Sequence, residues 1–164
     1  MSDYQPVPLF MERLAKLDAG ERARLKRCSG QTLNEARETA LFYSILPNGV
    51  PQYKENVYFL VATLYAMAEN TIAERDFGAS LRQTWSENNH KGLDRRMQIL
   101  LDSDENQLPF RLRQAVHYLK SQQVKINWQK LLEDLLWWSS ENRSIQRRWA
   151  RSYFADKLQP HKGE

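Results

Sequence analysis

Tyr53-Lys54-Glu55-Asn56-Val57-Tyr58-Phe59-Leu60-Val61-Ala62-Thr63-Leu64-Tyr65-Ala66-Met67-Ala68 is the stretch around which the rest of the chain is organised. Its residues are apolar nearly all the way round a helical wheel, whereas a helix at a protein surface shows one apolar stripe and one polar face. Pro47-Asn48-Gly49 breaks the chain before it and Pro51 permits a new start, so the pattern predicts a helix from about Gln52 to Asn70. Such a helix is central and packed on several sides.

The flanking segments supply the cover. Phe10, Leu14 and Leu17 recur at helical spacing after Pro6 and Pro8, giving a first helix that ends near Asp18. Asp18-Ala19-Gly20-Glu21 has the acid-to-Glu spacing of an N-terminal cap, and a short basic helix follows and stops before Gly30. Thr32-Leu33-Asn34-Glu35 is a fuller capping box, predicting a helix that buries Ala36, Ala40, Phe42 or Tyr43, and Leu46. Phe77 to Trp85 reads as a short helical turn after which the chain turns polar, from Ser86 to Gly92.

Beyond that segment, Leu93, Met97 and Leu100 mark a helix closed by Asp102-Ser103-Asp104-Glu105. Leu112, Ala115, Val116 and Leu119 mark another from Pro109 to Gln122, and Asn127 caps one carrying Trp128, Leu131, Leu132, Leu135, Leu136 and Trp138. The last predicted helix, Asn142 to Lys157, turns Ile145, Trp149 and Phe154 inward and sets Arg143, Arg147 and Arg151 along one line. Strand alternation is absent. The expected fold class is all-α, two small helical bundles (residues 1–88 and 89–164) joined by the short polar linker.

With 164 residues and 41% hydrophobic content, the chain can bury a genuine core. Its single cysteine, Cys28, excludes an intramolecular disulfide and fits a reducing cytoplasm; such a residue is more often core than reactive. No apolar run approaches a membrane span, and Met1 to Pro8 lacks the basic-then-apolar order of a signal peptide. A cytoplasmic protein without membrane contact is expected.

Catalytic signatures are scarce. His90, His117 and His161 have no partners at metal-ligand spacing, and there is no glycine-rich phosphate loop or nucleophile elbow, so no catalytic residue, metal or cofactor is expected. Asp102, Asp104 and Glu105 are the carboxylates a metal-dependent nuclease would use, but acids just before a helix N-terminus are better accounted for by the helix dipole.

What remains is arginine. Residues 1–80 hold 9 basic and 10 acidic side chains and residues 81–164 hold 15 and 10, so the positive excess lies in the C-terminal half. Arg24 and Arg27, Arg95 and Arg96, Arg111 and Arg113 with Lys120, and Arg143, Arg147, Arg148 and Arg151 form short basic edges beside apolar stripes on four separate helices. Several edges can make one track that grips phosphates without reading sequence. Ion pairing with acidic residues elsewhere in the chain is the competing reading of any one edge. Of the five tryptophans, Trp128, Trp138 and Trp149 fall on apolar stripes, while Trp137 is the candidate for an exposed face.

Leu17 to Arg27 resembles the opening signature of the CasB family, the small subunit of the type I-E CRISPR Cascade complex. The resemblance continues, in the family's order, through Phe77 to Arg82, Leu93 to Leu101, Leu108 to Val116, Leu131 to Trp138 and Gln146 to Arg151, covering roughly residues 9 to 157. It implies an all-helical, non-enzymatic protein of two bundles, present as two copies, that helps hold the assembly and stabilises the R-loop. It also implies partners: other Cascade subunits with crRNA, a second copy of the chain, and target DNA, chiefly the displaced non-target strand. By position, the basic members of the matching motifs are Arg24, Lys26, Arg27, Arg82, Arg95, Arg96, Arg111, Arg113, Arg147, Arg148 and Arg151. Two alternatives stand beside DNA binding: a protein–protein scaffold with incidental DNA contact, and the nuclease.

Overall fold

The computed structural model describes residues 4–155. Among these, nine α-helices follow in the order α1 (Pro6–Ala15), α2 (Ala19–Lys26), α3 (Thr39–Ile45), α4 (Glu55–Ala68), α5 (Phe77–Arg82), α6 (His90–Leu101), α7 (Leu108–Ser121), α8 (Trp128–Leu135) and α9 (Ser144–Phe154). The only extended pairing among the described residues is one parallel bridge, Thr71 to Ile126. The chain is all-α.

Helix α4 takes the central place. Tyr58 through Leu64, Ala66 and Met67 are buried, and the helix packs on α2, α7 and α8. Phe10 of α1 meets Tyr58 edge to face at 5.0 Å between ring centroids, and Phe42 of α3 meets Phe59 at 5.3 Å. Thr63 is buried in the run because its hydroxyl donates to the Leu60 carbonyl at 2.9 Å. Beyond Ala68, Glu69 turns left-handed at φ 42°, and the Met67 carbonyl accepts from Lys120 Nζ at 2.7 Å. A cation from α7 therefore sits at the negative end of α4.

The Ser86–Gly92 segment joins the first five helices to the last four, with His90, Lys91 and Gly92 already wound into α6. The two groups pack on each other across it: α5 lies on α9, and α8 lies on α1 and α4. One contiguous cluster of buried side chains runs from Val7 to Tyr153.

The caps at Asp18 and Asn127 form as expected: Asp18 accepts from the Glu21 amide at 2.7 Å with Glu21 reciprocating, and Asn127 accepts from the Lys130 amide at 3.0 Å. Thr32–Glu35 departs from expectation. Glu35 does accept from the Thr32 amide, yet only one turn forms and α3 begins at Thr39. Tertiary bonds hold the intervening chain out of a helix: Asn56 of α4 takes the Leu33 amide at 3.0 Å, and Arg24 of α2 takes Glu38. Leu41, Phe42 and Ile45 are the residues α3 buries; Ala40 and Tyr43 are exposed.

Candidate nucleic-acid interface

Helix α9 buries Ile145, Gln146, Trp149 and Tyr153. Tyr153, rather than Phe154, is the fully enclosed aromatic at its end, its hydroxyl donating to Asp94 at 2.8 Å. The Trp149 ring lies 5.1 Å from Phe77 and 5.0 Å from Trp138, and its indole N–H donates to Asp134 Oδ2 at 2.8 Å. Asp134 is 1% exposed and also accepts from Arg148 Nη1 at 3.0 Å. Arg148 reaches Asp76 as well, at 3.5 Å, and the Asp134 hydrogen bond raises its pKa against the opposing effect of burial. Asp76 caps α5 through the Ala79 amide at 2.9 Å and accepts from Ser152 at 2.8 Å. Arg148 thus ties α9 to α8 and to the start of α5.

Three further candidate arginines have protein partners. Arg24 holds Glu38 at 2.7 Å, which lowers the Glu38 pKa, chiefly through that hydrogen bond. Arg111 donates to the Ile99 carbonyl at 3.2 Å and Ser103 Oγ at 3.1 Å, fastening the end of α6 to α7. Arg143 is not on the α9 line with Arg147 and Arg151: it precedes the helix with φ 52°, and donates to the Leu101 carbonyl at 2.7 Å beside Asp102 at 3.8 Å.

The other six face solvent. Among the described residues Arg27, Arg95, Arg113, Arg147 and Arg151 make no ion pair or hydrogen bond, and Arg96 lies over the Tyr118 ring at 5.5 Å. They stand on adjoining elements. Helix α6, with Arg95 and Arg96, packs against both α7 and α9. Arg113 of α7 packs against Gly30, where an added Cβ would lie 3.3 Å from its Cδ, so the α2 end carrying Arg27 abuts the same helix. Arg147 lines a cleft between α9 and α6 with Gln98 and Leu101, and Asp102 and Glu141 line it too without forming an ion pair with Arg147.

Arg82, basic in a matching motif, is 8% exposed and lies over the Trp85 ring at 4.4 Å. Trp128, Trp138 and Trp149 are buried, Trp85 is half-buried, and Trp137 is 62% exposed with Lys54 Nζ over its ring at 5.5 Å. Cys28 is buried, and Glu105 bonds Ser139. Asp104 accepts from the Asn106 and Gln107 amides at 2.9 Å. Among the described residues no group of three or more His, Cys, Asp or Glu is placed to hold a metal ion, and no helix is long and apolar enough to cross a membrane. His161 and the expected end of the last helix at Lys157 lie outside the described residues.

The sequence reading missed Asp76 and Asp134 as partners of Arg148. The Asp76-x-x-Ala79 spacing signals a helix cap, but nothing local signals a pairing between residues as far apart in the chain as Asp76 and Arg148.

The family model for CRISPR-associated protein Cse2 matches residues 21–154. The chain belongs to the Cse2 family. A Cse2 protein of Thermus thermophilus is 36% identical over 105 residues, which are 63% of this chain and 59% of that relative, so the chain spans less than two thirds of that curated relative's length. The crystal structure of a Cse2-family protein from T. thermophilus overlays with a TM-score of 0.80 at 29% identity, covering 93% of this chain and 99% of the other. M. ruber CasB overlays equally, at 0.80 and 28% identity, over 94% and 95%. A chain of a CRISPR RNA-guided surveillance complex gives 0.76 at 25% identity, over 91% of each. These likenesses bear out the resemblance to CasB and the all-α fold.

Proposed function

We propose that this chain is the small subunit of a type I-E Cascade complex, gripping nucleic-acid backbone without sequence preference and stabilising the R-loop, with no chemistry of its own. The observation that carries the reading is the set of six exposed guanidiniums that make no ion pair or side-chain hydrogen bond among the described residues, on elements that adjoin one another. Four of the ten candidate arginines are engaged within the protein; Arg27, Arg95, Arg96, Arg113, Arg147 and Arg151 are left for phosphates. Guide RNA reads the target in such an assembly, and exchange of a DNA duplex for the RNA–DNA duplex is nearly balanced in free energy. A few phosphate contacts to the displaced strand therefore suffice to lengthen the life of the open loop. The partners are the other subunits with crRNA, a second copy of the chain, and the non-target strand, in the cytoplasm.

The test is an assembled complex carrying Arg95→Ala, Arg147→Ala and Arg151→Ala together. R-loop lifetime is expected to shorten and its salt dependence to flatten, with assembly intact. Unchanged lifetimes at every salt concentration would refute the reading. A second reading, a scaffold with incidental DNA contact, draws on the exposed Trp137 and on Tyr53, which is 80% exposed. It predicts that Trp137→Ala with Tyr53→Ala prevents assembly, whereas the triple arginine variant assembles and keeps the wild-type R-loop lifetime.

A further inference from the structure

Between α6 and α7 lies a groove of about 450 Å³. Its size is that of a small-molecule site, roughly 300–1,000 Å³. The floor is apolar, made of Leu93, Met97 and Leu100, which are buried, and Ala115. The rim carries Arg96, Arg113 and His117 with Tyr118, and among the described residues no Asp or Glu lines the groove. Arg113 makes no ion pair or hydrogen bond among the described residues, and Arg96 rests on the Tyr118 ring. An apolar bed under a cationic rim complements a ligand with a flat apolar body and an anionic edge.

We infer that this groove is a nucleotide pocket: one unstacked base of a bound single strand inserts between α6 and α7, while its flanking phosphates meet Arg96 and Arg113. This rests on the proposed backbone binding and adds to it, because the strand would be held by a base as well as by phosphates. Any base suits the bed, since every base has an apolar face. The carboxylate-free lining favours a nucleotide over a mixed-charge protein segment.

The test compares the binding of the 164-residue chain to a homothymidine oligomer and to an abasic oligomer of the same length and charge. The abasic strand is expected to bind at least about fivefold more weakly, the lower end of what one stacked base contributes. Ala115→Phe, which fills the bed without changing charge, should bring the thymidine strand down to the abasic affinity while far-ultraviolet circular dichroism stays unchanged. Should that variant misfold, photocrosslinking of 5-iodouracil DNA to the wild-type chain decides, with adducts expected at Tyr118 or His117. Equal affinity for the two strands, or adducts confined to other aromatic residues, overturns the pocket yet leaves salt-dependent backbone binding standing. Loss of salt-dependent binding to both strands would instead refute the backbone reading on which the pocket depends.

Discussion

Gly78 of α5 meets the backbone of Trp149 in α9 with no room for a side chain: a Cβ on Gly78 would stand 2.3 Å from the Trp149 carbonyl oxygen and 2.9 Å from its Cα. Neither atom can swing aside as a side-chain tip would. The closeness lets Phe77 lie against the Trp149 ring and brings Asp76 within reach of Arg148. Gly78→Ala is expected to destabilise the fold by about 1–3 kcal/mol through overpacking, read from urea unfolding. Gly92→Ala, in α6 with no neighbouring atom within 4 Å, should be neutral or stabilising by up to about 1 kcal/mol, since alanine is the better helix former.

Arg148 and its neighbours on α9 should separate by what they do. Arg148→Ala leaves Asp134, which is 1% exposed, with only the Trp149 indole N–H at 2.8 Å and Lys130 Nζ at 3.8 Å among the described residues, and is expected to cost about 1.5–3 kcal/mol, the range for hydrogen bonds to charged groups. Arg147→Ala and Arg151→Ala should stay within about 0.5 kcal/mol of wild type, as exposed positions without partners do. Thermal unfolding of the three variants at one pH and salt concentration is the measurement.

Binding to single-stranded DNA should fall linearly on a log–log plot against salt. Each phosphate contact contributes about 0.7 to the slope on a single strand. Arg147→Ala and Arg151→Ala should each flatten the slope by roughly that amount, equally for unrelated sequences. Fluorescence-anisotropy titrations at several salt concentrations would show it, and a sequence-dependent loss would speak against phosphate contact.

Alkaline pH should loosen the core. Burial pushes the Tyr58 hydroxyl from its ordinary 10.0 up to about 12, and Tyr153 is raised as well, by burial first and then by its hydrogen bond to Asp94. A tyrosine whose folded pKa is raised leaves stability intact below the unfolded value and removes it as pH rises towards the folded one. Stability is therefore expected to hold up to about pH 10 and to decline from there towards 12. Tyr58→Phe should reduce that decline in urea titrations run at successive pH values.

Much of this molecule is legible along the chain because helices are local objects. The all-round apolar run of α4, the caps at Asp18 and Asn127, and the burial of Trp128, Trp138 and Trp149 all follow from spacing along one or two turns. The arginines were legible only as a set. Each edge reads the same in sequence, whether its guanidiniums meet water or a carboxylate from another helix. Thr32–Glu35 shows the same limit in a backbone, since its capping box is complete in sequence but Asn56 and Arg24 hold the next residues out of the helix.

The sequence by itself determined that the chain is all-helical, where its central helix lies, and that its basic excess suits a polyanion, because periodicity and charge content need no knowledge of the fold. Only the tertiary structure decided which arginines remain open to such a partner. Arg148 is held by Asp134 from fourteen residues away and by Asp76 from the far side of the chain, while Arg147, one position earlier, points about 100° away around the helix and faces solvent. Pairing depends on which surfaces close packing brings within hydrogen-bond reach, and at Gly78 that packing turns on the absence of a single side-chain carbon.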